Sequence, residues 1–252
     1  MSRPRTLTCN GRQGCSIEGA TVCGRSMAFG AVLFDYSGVV ADDTHLLRDA
    51  LVAALWQELG IALSHLEYRE LLGRTDREAL ASLLARRGRP AGPEALGALV
   101  ARRDAIYRES GPPAAVPGID ELTAACSESG ARLAIVSAAP RARVEAGLAA
   151  IGLAGRFAQI VALEDSERGR PDPAPYQIAL ARLAAAAGTL AVEHSYAGLA
   201  GARAAGLVTL AITTTAPMHM LQRRAHWVVD HFSQVDLAAL ERASERPGVL
   251  RR

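Results

Sequence analysis

The chain has 252 residues, of which 50% are apolar, 21% charged and 4% aromatic. No apolar run approaches 18 residues, which excludes a membrane span, and the apolar content excludes a disordered or low-complexity chain. Arg3, Arg5, Arg12 and Arg25 against Glu18 give residues 1–26 a surplus of positive charge inside a formal total of +2, and the nearly neutral remainder is no footprint for nucleic acid.

In chain order, residues 1–26 come first. They hold Cys9, Cys15 and Cys23 with no nearby His pair, unlike a zinc site, and they lack the apolar stretch of a secretory signal. They read as a disordered extension. The one further cysteine, Cys126, fits a reducing cytoplasm. From Met27 onward short apolar runs alternate with helical periodicity, the pattern of a parallel sheet flanked by helices. Strands are predicted over 31–35, 132–137, 158–162, 189–193 and 207–212, with an edge strand at 226–229. Helices are predicted over 119–129, 141–152, 173–186 and 197–205. Residues 46–112 show helical periodicity only. Leu46, Leu47, Ala50, Leu51, Ala54 and Leu55 trace one face of a first helix, and further helices fit 64–72, 76–87 and 93–110. The Gly/Pro-rich segment 111–118 leads back. The expected architecture is therefore α/β: a Rossmann-like parallel core made of 27–45 and 113–252, with a helical cap over 46–112 joined to it through a hinge.

Ligands of an open α/β sheet bind beyond the carboxyl ends of the strands. Asp35, Ser137 with Ala138, the loop holding Arg170, and Glu193-His194-Ser195 all fall at such ends. Singly, each reads as a helix cap or turn former. Together, in this order and with a helical insert after the first, they define a candidate site. Asp42 and Asp43 read as capping and solvated, and Arg86, Arg87, Arg89, Arg102 and Arg103 as a solvated cap face.

Asp35-Tyr36-Ser37-Gly38-Val39-Val40, Leu133–Ser137, Gly169-Arg170-Pro171-Asp172-Pro173 and Val192-Glu193-His194-Ser195 resemble the four motifs of the haloacid dehalogenase superfamily, and residues 46–112 its helical cap, as in the phosphoglycolate phosphatase and β-phosphoglucomutase branch. The resemblance implies phosphomonoester hydrolysis through an aspartyl-phosphate on Asp35. Ser37 takes the acid/base position, and Ser137, Ala138 and Arg170 bind the phosphoryl group of a small phosphorylated metabolite. A Mg²⁺ ion is held through Asp35, Ser37, Glu193 and His194.

Three of these positions depart from the family pattern. Ser37 stands for the acid/base Asp, Arg170 for the phosphate-site Lys in a chain without any lysine, and His194 for a metal-ligating Asp. A serine hydroxyl is no general acid at neutral pH, guanidinium is not interchangeable with ammonium, and imidazole is a poor ligand for a hard ion. The changes predict weak or lost activity. The alternative is a catalytically inactive relative that serves as a binding or assembly subunit of a protein complex.

Overall fold

The computed structural model describes residues 29–185 and 188–244, together with the backbone of three short strands before them: β1 (Thr8–Cys9), β2 (Cys15–Ile17) and β3 (Ala20–Val22), which pair antiparallel. Most of the expected disordered extension lies outside the described residues. The elements that follow are β4 (Ala31–Phe34), β5 (Ala41–Asp42), α1 (Thr44–Leu59), α2 (His65–Leu71), α3 (Asp76–Arg86), α4 (Pro93–Glu109), β6 (Ala114–Ala115), α5 (Ile119–Glu128), β7 (Arg132–Val136) and α6 (Arg141–Ala150). After these come β8 (Gln159–Val161), α7 (Ala174–Arg182), β9 (Thr189–Glu193), α8 (Tyr196–Ala204), β10 (Val208–Ile212), α9 (Met218–Leu221), β11 (Trp227–Val229) and α10 (Leu237–Ser244).

Six of the strands form one parallel sheet in the order β11-β10-β9-β4-β7-β8. Strand β4 lies between β9 and β7 and is buried along its whole length, as a central parallel strand covered on both faces must be. Alternation along β4 sends Val32 and Phe34 into the layer that packs on α5 and α6, and Ala31 and Leu33 into the layer with Tyr176 and Ala179 of α7. From β4 the chain continues to β7 and β8 on one side and later to β9, β10 and β11 on the other. The strand order therefore reverses at β4, and the crevice beyond β4, β7 and β9 is the place where this topology binds ligands.

Helices α1 to α4 carry an apolar cluster of their own, built from Leu55, Leu80, Leu83, Leu84, Leu96 and Leu99. Local chemistry fixes their boundaries. Ser64 and Glu67 form a reciprocal capping box at the start of α2, and the Thr75 side chain accepts from the Glu78 amide at the start of α3. The two connections between cap and core are paired with each other, Ala41 opposite Ala115 and Asp42 opposite Ala114. The return segment 111–118 is thus clamped to the outgoing chain by a short antiparallel ladder. Arg103, expected on a solvated face, is buried instead, because its guanidinium pairs with both Asp76 and Asp104. Among the described residues no helix is long and apolar enough to cross a membrane.

Candidate active site

Asp35 follows the last residue of β4, where the strand gives way to a turn. Its side chain is buried, and its Oδ1 accepts from the amide of Tyr36 at 2.8 Å. Strand β7 delivers Ser137 and Ala138, and the turn after it is fixed by the Ala139 amide donating to Ser137 Oγ at 3.1 Å. Strand β9 delivers Glu193, followed by His194 and by Ser195, whose side chain caps α8 by accepting from the Gly198 amide at 3.0 Å.

Asp35, Ser37, Ser137, Ala138, Arg170 and His194 line a single cavity of about 90 Å³ between core and cap. The cap contributes Leu47, Leu51, Tyr68, Arg74 and Arg103 to its walls. One turn of the cap docks directly on the core: Gly73 sits at φ +79°, and a Cβ there would meet Ser195 Oγ at 2.2 Å. Only glycine accepts both that backbone conformation and that approach.

Glu193 does not line the cavity. It stands behind Arg170, where its Oε1 accepts from Arg170 Nη1 at 3.0 Å and from the Tyr176 hydroxyl. Its Oε2 has no partner and packs on Gly198, where a Cβ would lie 2.0 Å away. Arg170 is buried, and the same Nη1 lies 2.9 Å from Asp35 Oδ2. His194 Nε2 lies 3.3 Å from that oxygen, and its Nδ1 is 2.9 Å from the Thr215 hydroxyl.

These contacts separate the two carboxyls. Burial alone would raise Asp35, but the Arg170 charge and the His194 hydrogen bond outweigh it and hold the group below the usual carboxylate range. Glu193 moves the other way, raised by burial and by the Asp35 charge, with Arg170 and the Tyr176 hydrogen bond offsetting only part. Asp35 is therefore the anion of the pair at neutral pH, and Glu193 takes up a proton more readily than a free carboxylate.

The residues expected to hold Mg²⁺ do not fit that ion. The place between the Asp35 and Glu193 carboxylates is taken by a guanidinium nitrogen, neither Glu193 oxygen points into the cavity, and His194 offers a nitrogen where a hard ion needs oxygen. Among the described residues no group of three or more His, Cys, Asp or Glu is placed to hold a metal ion.

Asp43 is a further member of the site that the sequence reading assigned to a solvated cap. It precedes α1 but makes no capping bond, and it is fully buried. Its Oδ2 accepts from Ser37 Oγ at 3.2 Å and from the Tyr107 hydroxyl at 3.0 Å, while Oδ1 has no partner. Burial raises this carboxyl, and the Arg143 charge and the two hydroxyls offset it only in part. The adjacent Asp42, by contrast, is half-buried and lies near His45. Two consecutive aspartates carry no mark in the sequence that tells which one turns inward.

A group whose folded pKa is raised stabilises the fold below its unfolded pKa and loses that contribution as pH rises through the folded value. Asn reproduces the neutral form, so Asp43→Asn is expected to be at least as stable as wild type at pH 7, with the difference vanishing below about pH 4. Asp43→Ala strands two hydroxyls and should cost about 1–3 kcal/mol. Urea denaturation of both variants at pH 7 and pH 4 checks the pair; a loss in Asp43→Asn at pH 7 equal to that in Asp43→Ala would contradict it.

A match to the haloacid dehalogenase-like hydrolases covers residues 29–206, which include the whole cap and all of the residues around this cavity. The chain is 34% identical to protein CbbY of Rhodobacter capsulatus over 190 residues, 72% of this chain and 84% of that protein. It is 28% identical to validoxylamine A 7'-phosphate phosphatase of Streptomyces hygroscopicus subsp. limoneus over 186 residues, 73% of this chain and 85% of that one. CbbY from Rhodobacter sphaeroides, solved in complex with xylulose-(1,5)-bisphosphate, superposes with a TM-score of 0.72 at 28% identity, covering 84% of this chain and 99% of that structure. With its parallel sheet, its inserted helical cap and an aspartate at the end of the central strand facing that cap, the chain belongs to the haloacid dehalogenase-like hydrolase family.

Proposed function

We propose that this chain hydrolyses a small sugar or polyol phosphomonoester in the cytoplasm, through a covalent phosphoryl group on Asp35. The observation that carries the reading is an ionised aspartate at the core wall of a cavity that the cap closes and that Arg74, Arg103, Arg143 and Arg170 also line. The relatives supply the substrate class, one being a phosphatase of a phosphate ester and another being bound to a sugar bisphosphate. Arg74, a cap residue on the cavity with no ion-pair partner among the described residues, would meet a second anionic group of the substrate.

In this reading an Asp35 oxygen attacks phosphorus while Ser137 and Arg170 hold the phosphoryl oxygens, and the substrate alkoxide departs. Ser37 donates its hydroxyl proton to the alkoxide and takes one from the Asp43 carboxyl behind it, which burial shifts towards its protonated form. In the second step water attacks phosphorus, releases phosphate and regenerates the Asp35 carboxylate. Its proton returns through Ser37 to Asp43. An acid that acts through an intervening hydroxyl is less well placed than a carboxyl in the cavity, so turnover should be slow for the family.

The test is turnover of 4-nitrophenyl phosphate and a panel of sugar phosphates, beside Asp35→Asn, with hydroxylamine trapping of the acyl phosphate. Turnover and trapping that both depend on Asp35 support the reading. A folded wild type that releases no more phosphate than Asp35→Asn sinks it. One observation favours a second reading, an inactive binding subunit: Asp35 Oδ2 is already engaged by both Arg170 and His194. That reading expects a stoichiometric protein partner retained by Asp35→Asn.

A further inference from the structure

The Arg170 guanidinium occupies the position between two carboxylates that a cation must fill. Its Nη1 lies 2.9 Å from Asp35 Oδ2 and 3.0 Å from Glu193 Oε1, and all three side chains are at most 3% exposed. That nitrogen carries two N–H bonds, one for each carboxylate oxygen. The group stays charged at every working pH, so the position is never vacant electrostatically. A divalent ion bridging the same oxygens would have to approach each to about 2.0–2.1 Å, into space the nitrogen holds and beside a fixed like charge.

The surroundings are arranged for the guanidinium. Tyr176 donates its hydroxyl to the same Glu193 oxygen and also lies 3.0 Å from the Gly198 carbonyl, which fixes Glu193 as a second anchor for Arg170. His194, at the position where the resemblance implies an oxygen ligand, presents Nε2 to Asp35 and is held from behind by Thr215. Both changes from the family pattern therefore act on one oxygen, Asp35 Oδ2, each bringing a nitrogen donor to it.

We propose that Arg170 is the resident cation of this site, and that the chain binds no divalent metal ion between Asp35 and Glu193. A phosphoryl anion would then meet positive charge supplied by the chain itself. Arg170 also lines the cavity, where such an anion would sit. This inference concerns occupancy and stands or falls apart from the hydrolase reading, because its measurement reads bound metal.

The experiment titrates Mn²⁺ into the full chain freed of metal with EDTA and follows free Mn²⁺ by electron paramagnetic resonance, with Asp35→Asn alongside. The expected result is that wild type and Asp35→Asn give the same titration. One Mn²⁺ per wild-type chain, lost in Asp35→Asn, overturns the proposal. The variant Arg170→Gln with His194→Asp, which removes the guanidinium charge and supplies an oxygen ligand, is checked for folding by circular dichroism and should gain one site at least tenfold tighter than any wild-type binding. A folded double variant without that gain also counts against it. If the double variant does not fold, the wild-type titration decides alone.

Discussion

Replacing Arg170 with Met is expected to cost about 3–5 kcal/mol of folding stability at pH 7, the loss typical of a buried ion pair deprived of one partner. Met keeps an apolar stem in the same space, so most of the loss belongs to the carboxylates. With Arg170 absent, Asp35 and Glu193 face each other in a buried site, with the His194 ring nitrogen left beside Asp35. The pH dependence separates this from simple packing. In wild type the folded pKa of Asp35 is depressed, so its contribution is present above the unfolded value of about 3.9 and is lost as pH falls below it. In the variant burial is no longer offset by Arg170, Asp35 takes up its proton at higher pH, and acid should cost the variant less than it costs wild type. The gap in urea midpoint should therefore be widest near neutrality and narrow towards pH 3. A gap of constant size from pH 7 to pH 3 would mean that Arg170 contributes only volume. Arg170→Lys should recover part of the loss, since it returns the charge but not a planar group reaching two carboxylates at once.

The elements of this fold were legible in the sequence because the signals that mark them are local. Strand β9 is read over 189–193 and found over Thr189–Glu193; the three cap helices given spans over 64–72, 76–87 and 93–110 are found within a few residues of them, and the face traced from Leu46 to Leu55 lies within α1. Their periodicity is produced by burial on one face or two, and short-range pattern records it. The β5–β6 ladder escaped because two-residue strands leave no period, and their pairing joins residues about seventy positions apart. The side chains around Asp35 were legible for another reason. They follow strands whose parallel register brings their ends to one edge, so order along the chain translates into proximity. Partnership was not legible. Nothing in the string of residues says that Arg170 reaches both carboxylates, that Tyr176 on α7 closes the far side of Glu193, or that Asp43 and not Asp42 turns inward to meet Ser37 and Tyr107. Such facts depend on side-chain direction across long separations, where sequence spacing carries no information.

Asp43→Asn should lower turnover of an alkyl phosphate by about 10²–10⁴-fold, the usual worth of a positioned general acid. The same substitution should leave first-turnover release of 4-nitrophenolate nearly unchanged. The difference follows from the leaving group. An alkoxide cannot depart without a proton, and in the proposed path that proton comes from Asp43 through the Ser37 hydroxyl, 3.2 Å away. Nitrophenolate leaves as an anion and draws nothing from the relay. The substituted carboxamide keeps an oxygen for the Ser37 and Tyr107 hydroxyls but has no acidic proton to give, and the fold loses no stability at neutral pH by the argument made for the neutral carboxyl. Rapid-quench measurement of both esters, with wild type and variant at equal folded concentration, checks the prediction. Equal losses on the two esters would assign Asp43 a positioning role for Ser37 and leave the alkoxide proton without a source on this wall of the cavity. A loss confined to the alkyl ester would show that the acid missing from position 37 has been moved one hydroxyl further back, to a carboxyl whose proton affinity burial raises.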